Sequence, residues 1–189
     1  NFENLHKTFK KLNDQAAKNS NIYVNCVQIE STIAQLRNLM VDFDKSQKSL
    51  TDYLCSKKIC FPRFYFISDD DLLSILGSSE ITAVNPHLMK LFDNCKEFVM
   101  ENGKLIKGMV SEEGESFEFA EPMKPEGAVE SWMNTVDQTM KSTLKSLTKE
   151  GVFNFTKIEK RKWLLKYIGM VVLSGVKIWW TWRVEDAFC

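Results

Sequence analysis

Apolar residues at Leu5, Phe9, Leu12 and Ala16 follow one another at steps of three and four, the spacing that sets side chains on one face of an α-helix. The polar run Lys18-Asn19-Ser20-Asn21 interrupts the stripe, which resumes at Ile29, Ile33, Leu36, Met40, Phe43, Leu50 and Leu54. This predicts a long helix ending before Phe61, because Pro62 disfavours helical geometry in the residue ahead of it. The stripes are expected to pack against neighbouring helices, since they hold too few heptads for a dedicated coiled coil. In Phe61-Pro62-Arg63-Phe64-Tyr65-Phe66 the pattern changes to alternation, which fits a short extended segment with Phe64 and Phe66 on one side. Ser68 followed by Asp71 ahead of an apolar run is a capping box: the hydroxyl accepts from the Asp71 amide, and the carboxylate reaches back. Asp69, Asp70 and Asp71 then sit in the first turn, at the positive end of the helix dipole, and Gly77 is a natural stop. Asn85-Pro86 predicts another start, with Asn85 as cap and Pro86 at the first helical position, and Leu88, Leu91, Phe92 and Cys95 mark one face of the helix it opens.

Between Met100 and Pro125 the period shortens to two. Lys104 to Val110 and Ser116 to Glu121 flank a Ser-Glu-Glu-Gly turn in which Gly114 supplies a positive φ, so a β-hairpin is predicted, with Phe117 and Phe119 on one face and Glu118 on the other. From Gly127 the helical period returns at Val129, Trp132, Val136, Met140, Leu144 and Leu147, with Lys141, Lys145 and Lys149 outward and a break near Gly151. A last helical region is expected from about Thr156, carrying Trp163, Tyr167 and Val171 and ending in an amphipathic segment with Trp179, Trp180 and Trp182. The predicted fold class is mainly α: elongated helical bundles with one small β-hairpin. The expected organisation is a long helical region (1–60), an aromatic corner with two short capped helices (61–99), the hairpin (100–125) and the C-terminal helices (126–189). The chain opens on Asn1 and stops within a helical pattern, so it is expected to be a piece of something larger.

At 189 residues and 44% hydrophobic, the chain can bury a substantial core. Its 25 basic and 25 acidic residues cancel, so no overall field draws it to nucleic acid or to an anionic membrane, and neither is expected as a partner. The apolar run from Tyr167 to Trp182 falls short of the roughly 20 residues a spanning helix needs and contains Lys177. Five cysteines, Cys26, Cys55, Cys60, Cys95 and Cys189, form no framework of close pairs, as expected in a reducing compartment.

Candidate chemistry is sparse. No Gly-x-x-x-x-Gly-Lys-Ser/Thr loop exists to cradle a nucleotide, and Gly103-Lys104 lacks both the upstream glycine and the hydroxyl. His6 and His87 with no Cys-x-x-Cys give zinc no ligand set. The three aspartates could offer oxygens to Mg²⁺ or Ca²⁺, but adjacent carboxylates on a helix diverge, and capping is the better reading. Cys55 or Cys60 with His87 is the one conceivable thiol nucleophile pair, read instead as structural cysteines. The basic run Lys157 to Lys162 is interrupted by Glu159 and reads as a solvated helix face.

The stretch Ser49 to Gly77, "SLTDYLCSKKICFPRFYFISDDDLLSILG", closely resembles the signature of the dynein heavy chain linker. "VNPHLMKLFDNCKEF", "GMVSEEGESFEFAEP", "GAVESWMNTVDQTM" and "VVLSGVKIWWTWRVEDAF" resemble the segments that follow it, in order. The resemblance is dense from about Ser49 to Phe188. Lys58 stands where an arginine is usual, and Thr148 to Asn154 carries no family pattern. The resemblance implies a non-enzymatic lever of helical bundles that bends and straightens over an AAA+ ring. ATP and Mg²⁺ are bound by that ring and not by this segment, in a parent chain that is a microtubule-motor ATPase. It further implies the ring, microtubules and dynein intermediate and light chains as partners, met through the parent, and a cytoskeletal place in the axoneme of a cilium or flagellum. Its signature residues here are Phe61, Pro62, Arg63, Phe64, Tyr65, Phe66, Ser68 and Asp71. Gly77, Gly103 and Gly151 are the expected hinge positions, and Ser111, Glu113, Gly114 and Glu115 the expected contact hairpin. The competing expectation is a helical scaffold that recruits a protein partner.

Overall fold

A computed structural model describes residues 2–21, 23–24, 30–78 and 80–188; Cys26, Ile29 and Cys189 lie outside the described residues. The chain is mainly α with one small antiparallel sheet. It divides into two compact units, Asn1–Ser56 and Lys57–Cys189.

In the first unit, α1 (Phe2–Lys18) stops where the polar run begins, and α2 (Glu30–Cys60) starts beyond it. Leu5 and Leu39 are buried, and Phe9 meets Phe43 edge-on at 6.0 Å between ring centroids. Of the expected inner stripe of α2, Leu54 is buried, but Ile33, Leu36, Met40 and Leu50 are exposed, whereas Thr32 and Leu39 outside it are buried. The apolar surface of α2 is broader than one neighbouring helix can cover. The face turned inward is therefore set by where α1 lies, not by the stripe alone.

In the second unit, the residues expected to be extended form a 3₁₀ turn, Pro62–Phe66. Phe61 is extended (φ −132°, ψ 93°), as the residue before a proline is expected to be, and Pro62 opens the turn at its first position. A 3₁₀ turn repeats every three residues, so Phe61, Phe64 and Ile67 share the inner face and are all buried, while Phe66 is 69% exposed. Phe64 and Phe66 therefore do not share a side.

The next helix, α3 (Asp69–Gly77), begins and ends where the sequence places it. The start predicted at Asn85 is displaced. A second 3₁₀ segment runs Ile81–His87 with Pro86 inside it, and α4 (Leu88–Leu91) follows with His87, not Asn85, at its N-cap. Leu88, Leu91, Phe92 and Cys95 are nonetheless all buried.

The sheet has three strands in the order β1-β2-β3: β1 (Glu97–Glu101), β2 (Leu105–Val110) and β3 (Ser116–Met123). The predicted hairpin is β2–β3, with Met109 opposite Phe117 and Gly108 opposite Glu118, and the unexpected strand is β1. It pairs with β2 through Asn102-Gly103, whose φ values of 52° and 67° are the positive pair a primed hairpin turn requires. One face of the sheet carries Phe98, Ile106, Met109 and Phe119 into the core, where Phe98 meets Trp132 of the next helix edge-on.

That helix, α5 (Val129–Asn154), buries Trp132, Met133, Val136 and Thr143. It does not break at Gly151 but runs on to Asn154. The final helical region is divided into α6 (Lys160–Lys166) and α7 (Gly169–Phe188) at Tyr167, which turns extended. Glycine at 151 and 175 serves close packing: a Cβ on Gly151 would lie 2.8 Å from Val171 Cγ1, and one on Gly175 would lie 3.0 Å from Trp163 Cζ2. Into that space fits the fully buried Trp163, whose indole N–H donates to the Gly151 carbonyl at 2.8 Å. Tyr167 and Val171 complete the cluster, with Phe155 edge-on to Trp163. Trp179 donates to the Val152 carbonyl at 2.8 Å, while Trp180 and Trp182 are exposed. Instead of one apolar face, α7 also carries apolar residues beyond its buried side, with Met170, Leu173, Val176 and Trp180 exposed.

Candidate functional site: a polar-braced aromatic corner

The aromatic corner joins the end of α2 to α3. Its centre is apolar: Phe61 meets Phe64 edge-on at 4.8 Å and Phe92 at 6.4 Å. Arg63 lies against this centre, its guanidinium 4.8 Å from the Phe92 ring centroid. One of its terminal nitrogens donates to the Leu91 carbonyl at 3.0 Å; the second terminal nitrogen and Nε reach Asp137 Oδ1 at 3.0 and 3.2 Å. Donors fixed in one plane hold the carbonyl and the carboxylate in a set mutual geometry, which the rotatable ammonium of a lysine does not impose.

Two more contacts run from the same stretch to α5. Lys57 Nζ lies 2.5 Å from Glu130 Oε1, with side chains only 21% and 11% exposed. Asn134 Nδ2 donates at 2.9 Å to the Cys60 carbonyl, one of the acceptors that the end of α2 leaves without an intrahelical donor. Lys57, Cys60 and Arg63 thus meet Glu130, Asn134 and Asp137 in order, a three-rung ladder on one edge of α5. Lys141 adds a second cation to Asp137 at 2.6 Å. The second carboxylate oxygen of Glu130 is buried and has no hydrogen-bond partner among the described residues.

On the far side of the corner, Ser68 Oγ accepts from the Asp71 amide at 3.1 Å, the first half of the expected capping box. The Asp71 carboxylate is engaged elsewhere, 3.1 Å from Lys90 Nζ and 3.8 Å from His87 Nδ1. The Lys90 contact, helped by the Ser68 hydroxyl, holds the Asp71 carboxyl below the usual aspartate range. Asp69 turns to Lys58 at 2.5 Å, and Lys58 lies 5.8 Å from the Tyr65 ring. Asp69 and Asp71 therefore diverge to separate partners. Among the described residues no group of three or more His, Cys, Asp or Glu side chains is placed to hold a metal ion. Burial pushes the Cys95 thiol up to about 11, so it is not a thiolate near neutrality. Cys55 and Cys60 are exposed, and His87 faces Asp71, not a thiol. Among the described residues, no helix is long and apolar enough to cross a membrane.

The turn between β2 and β3 binds its own chain. Gly114 adopts φ 84° and donates to the Ser111 carbonyl; Glu113 accepts from Asn94 Nδ2 at 2.8 Å. Both carboxylate oxygens of Glu115 lie 3.2 Å from the Gly169 amide, at the positive end of α7. Gly77 closes α3, Gly103 lies in the β1–β2 turn, and Gly151 lies within α5.

The ladder residues Glu130, Asn134 and Asp137 escaped the sequence reading. Their signal was present: polar side chains at steps of four and three, bordering the apolar stripe of the same helix.

The family described as "Dynein heavy chain, N-terminal region 2" matches residues 1–151. The chain belongs to the dynein heavy chain family. The chain is 46% identical over 188 residues to the Chlamydomonas reinhardtii protein named "Dynein-1-alpha heavy chain, flagellar inner arm I1 complex". It is 42% identical over 192 residues to human "Dynein axonemal heavy chain 10" and 34% identical over 194 residues to "Dynein beta chain, ciliary" of Heliocidaris crassispina. Each alignment covers 99% of this chain and 4% of the relative, so the chain spans a small part of the dyneins it matches.

Proposed function

We propose that this segment is part of the linker of an axonemal-type dynein heavy chain, a lever that bends and straightens over the AAA+ ring. The ring, elsewhere in the same heavy chain, would bind ATP and Mg²⁺ and hydrolyse the nucleotide. Microtubules and the intermediate and light chains would be met through other parts of the assembly. Placement in a cilium or flagellum rests on relatives named axonemal, flagellar and ciliary.

The observation that carries the lever reading is the corner. A lever must transmit force through a change of direction, and here the chain turns within five residues, Pro62–Phe66. The turn is held on its apolar side by Phe61, Phe64 and Ile67 and on its polar side by Arg63. Packed interiors of this kind transmit displacement instead of absorbing it.

The test uses a full-length axonemal heavy chain of this type carrying Arg63→Ala. Microtubule-gliding speed is expected to fall several-fold while MgATP turnover by the ring is retained. A parallel fall of both activities, or undiminished gliding, overturns the reading.

A further inference from the structure

We propose that the ladder Glu130, Asn134 and Asp137 locks the register of α5 against the end of α2 and the corner, so that the joint cannot step by a helical turn. The inference rests on the geometry of the joint and stands apart from the lever reading.

Helices packed through apolar ridges can ratchet past one another by a turn. The stripe of α5 does not forbid this. Its members Trp132, Val136, Met140, Leu144 and Leu147 recur every three or four residues, so along the stripe a one-turn step largely exchanges one apolar side chain for another, although it would bring Asp137 to the place of the buried Met133. Apolar contact is non-directional and discriminates such states by shape alone.

The polar edge does not repeat. It reads anion, amide, anion at Glu130, Asn134 and Asp137, and then cation at Lys141. If the residues four later on α5 came opposite the corner, Lys57 would face Asn134, the Cys60 carbonyl would face Gln138, and Arg63 would face Lys141. Two cations would then oppose each other where Arg63 is only 31% exposed, and Glu130 would lose its lysine. A step the other way would set the Cys60 carbonyl against the Glu130 carboxylate, acceptor against acceptor, and would turn Arg63 toward the fully buried Met133, which offers no carboxylate. Either slip opposes like groups, and the first does so beside an arginine that has lost much of its water. A single polar group in an otherwise apolar helical interface fixes register by the same physics.

Cys60 is exposed and next to the middle rung, so it can report the register directly. In a Cys55→Ser background, a second cysteine is placed at the native partner position, Asn134→Cys, or one turn on, Gln138→Cys. Each chain is reacted with a short bis-maleimide and the linked peptides are mapped by mass spectrometry. With the remaining rungs intact, Cys60 is expected to link to position 134 and at least about tenfold less to position 138, the discrimination a charge-assisted contact can set. Adding Glu130→Gln, Asp137→Asn and Lys141→Glu removes the native anions and offers Arg63 an acceptor one turn on. The link to position 138 should then rise by about tenfold. Equal linking with the ladder intact, or an unchanged preference in the folded triple variant, overturns the proposal.

If the triple variant fails to fold, the pair Lys57→Glu and Glu130→Lys decides the matter. The first change alone should raise linking to position 138, and adding the second should restore the original ratio. No restoration in a chain with the parental circular dichroism overturns the lock.

Discussion

Replacing Phe64 by alanine separates two ways the corner could be built. A strand through residues 61–67 would put Phe64 and Phe66 on one face, so truncating either would cost about the same. The observed 3₁₀ turn puts Phe61, Phe64 and Ile67 inside, with Phe64 fully buried and Phe66 69% exposed. Phe64→Ala therefore removes a complete benzyl group from packed surroundings, a loss of about 3–5 kcal/mol once the cavity is included. Ile67→Ala should cost about 2–5 kcal/mol by the same argument, and Phe66→Ala should stay within about 0.5 kcal/mol. Urea unfolding followed by indole fluorescence reports on the right unit, because the five tryptophans lie at 132, 163, 179, 180 and 182. With a urea slope of about 2 kcal/mol per molar, Phe64→Ala should lower the midpoint by about 1.5–2.5 M and Phe66→Ala hardly at all. Equal losses for Phe64→Ala and Phe66→Ala, with little effect of Ile67→Ala, would refute the 3₁₀ corner and restore the strand.

The C-terminal cluster gives a second expectation. Gly175→Ala pushes a methyl to 3.0 Å from Trp163 Cζ2 and should lower stability in the same urea assay by about 1–3 kcal/mol, as overpacking does; no loss would mean that the indole has room to move. Asp71 gives a pH dependence. Lys90, then Ser68, depress its folded-state pKa, so its contribution is present above the unfolded value of about 3.9 and is lost as pH falls through the lower folded value. Asp71→Asn should lower stability near neutrality and shallow the acid side of a stability-versus-pH curve measured by urea unfolding; an unaltered acid limb would exclude the coupling.

The parts of the fold legible in the sequence are those that short-range chemistry decides. Ser68 caps α3 through a bond spanning three residues, and Gly77 ends it, so both boundaries were visible. The β2–β3 turn was visible for the same reason. The corner was not: over six residues, apolar spacings of two and three fit equally well. Pro62 was the deciding residue, because at the first position of a tight turn it fixes φ and lacks the N–H a strand would use. Strand β1 depends on its neighbour β2, yet Asn102-Gly103 marked the hairpin that joins them and was legible as a turn signal. Gly151 looked like a helix stop because glycine weakens helices. Here the missing Cβ is what lets Val171 approach, and packing outweighs propensity.

Register is a relation between two elements, which is why a stripe can announce that a helix packs without saying where. On α2 the predicted stripe is largely exposed, and Leu39 beside it is buried. On α5 the predicted stripe holds, with Trp132 and Val136 buried, yet its apolar side chains recur every turn. What breaks the degeneracy is the edge of the stripe, where Glu130, Asn134 and Asp137 meet a cation, a carbonyl and a cation in turn. An aperiodic polar edge beside a periodic apolar face is readable only by pairing it with candidate partners elsewhere in the chain. The opposing sequence at the corner, cation at Lys57, carbonyl at Cys60 and cation at Arg63, runs at steps of three and three against four and three on α5. The two edges specify each other, and neither specifies anything alone.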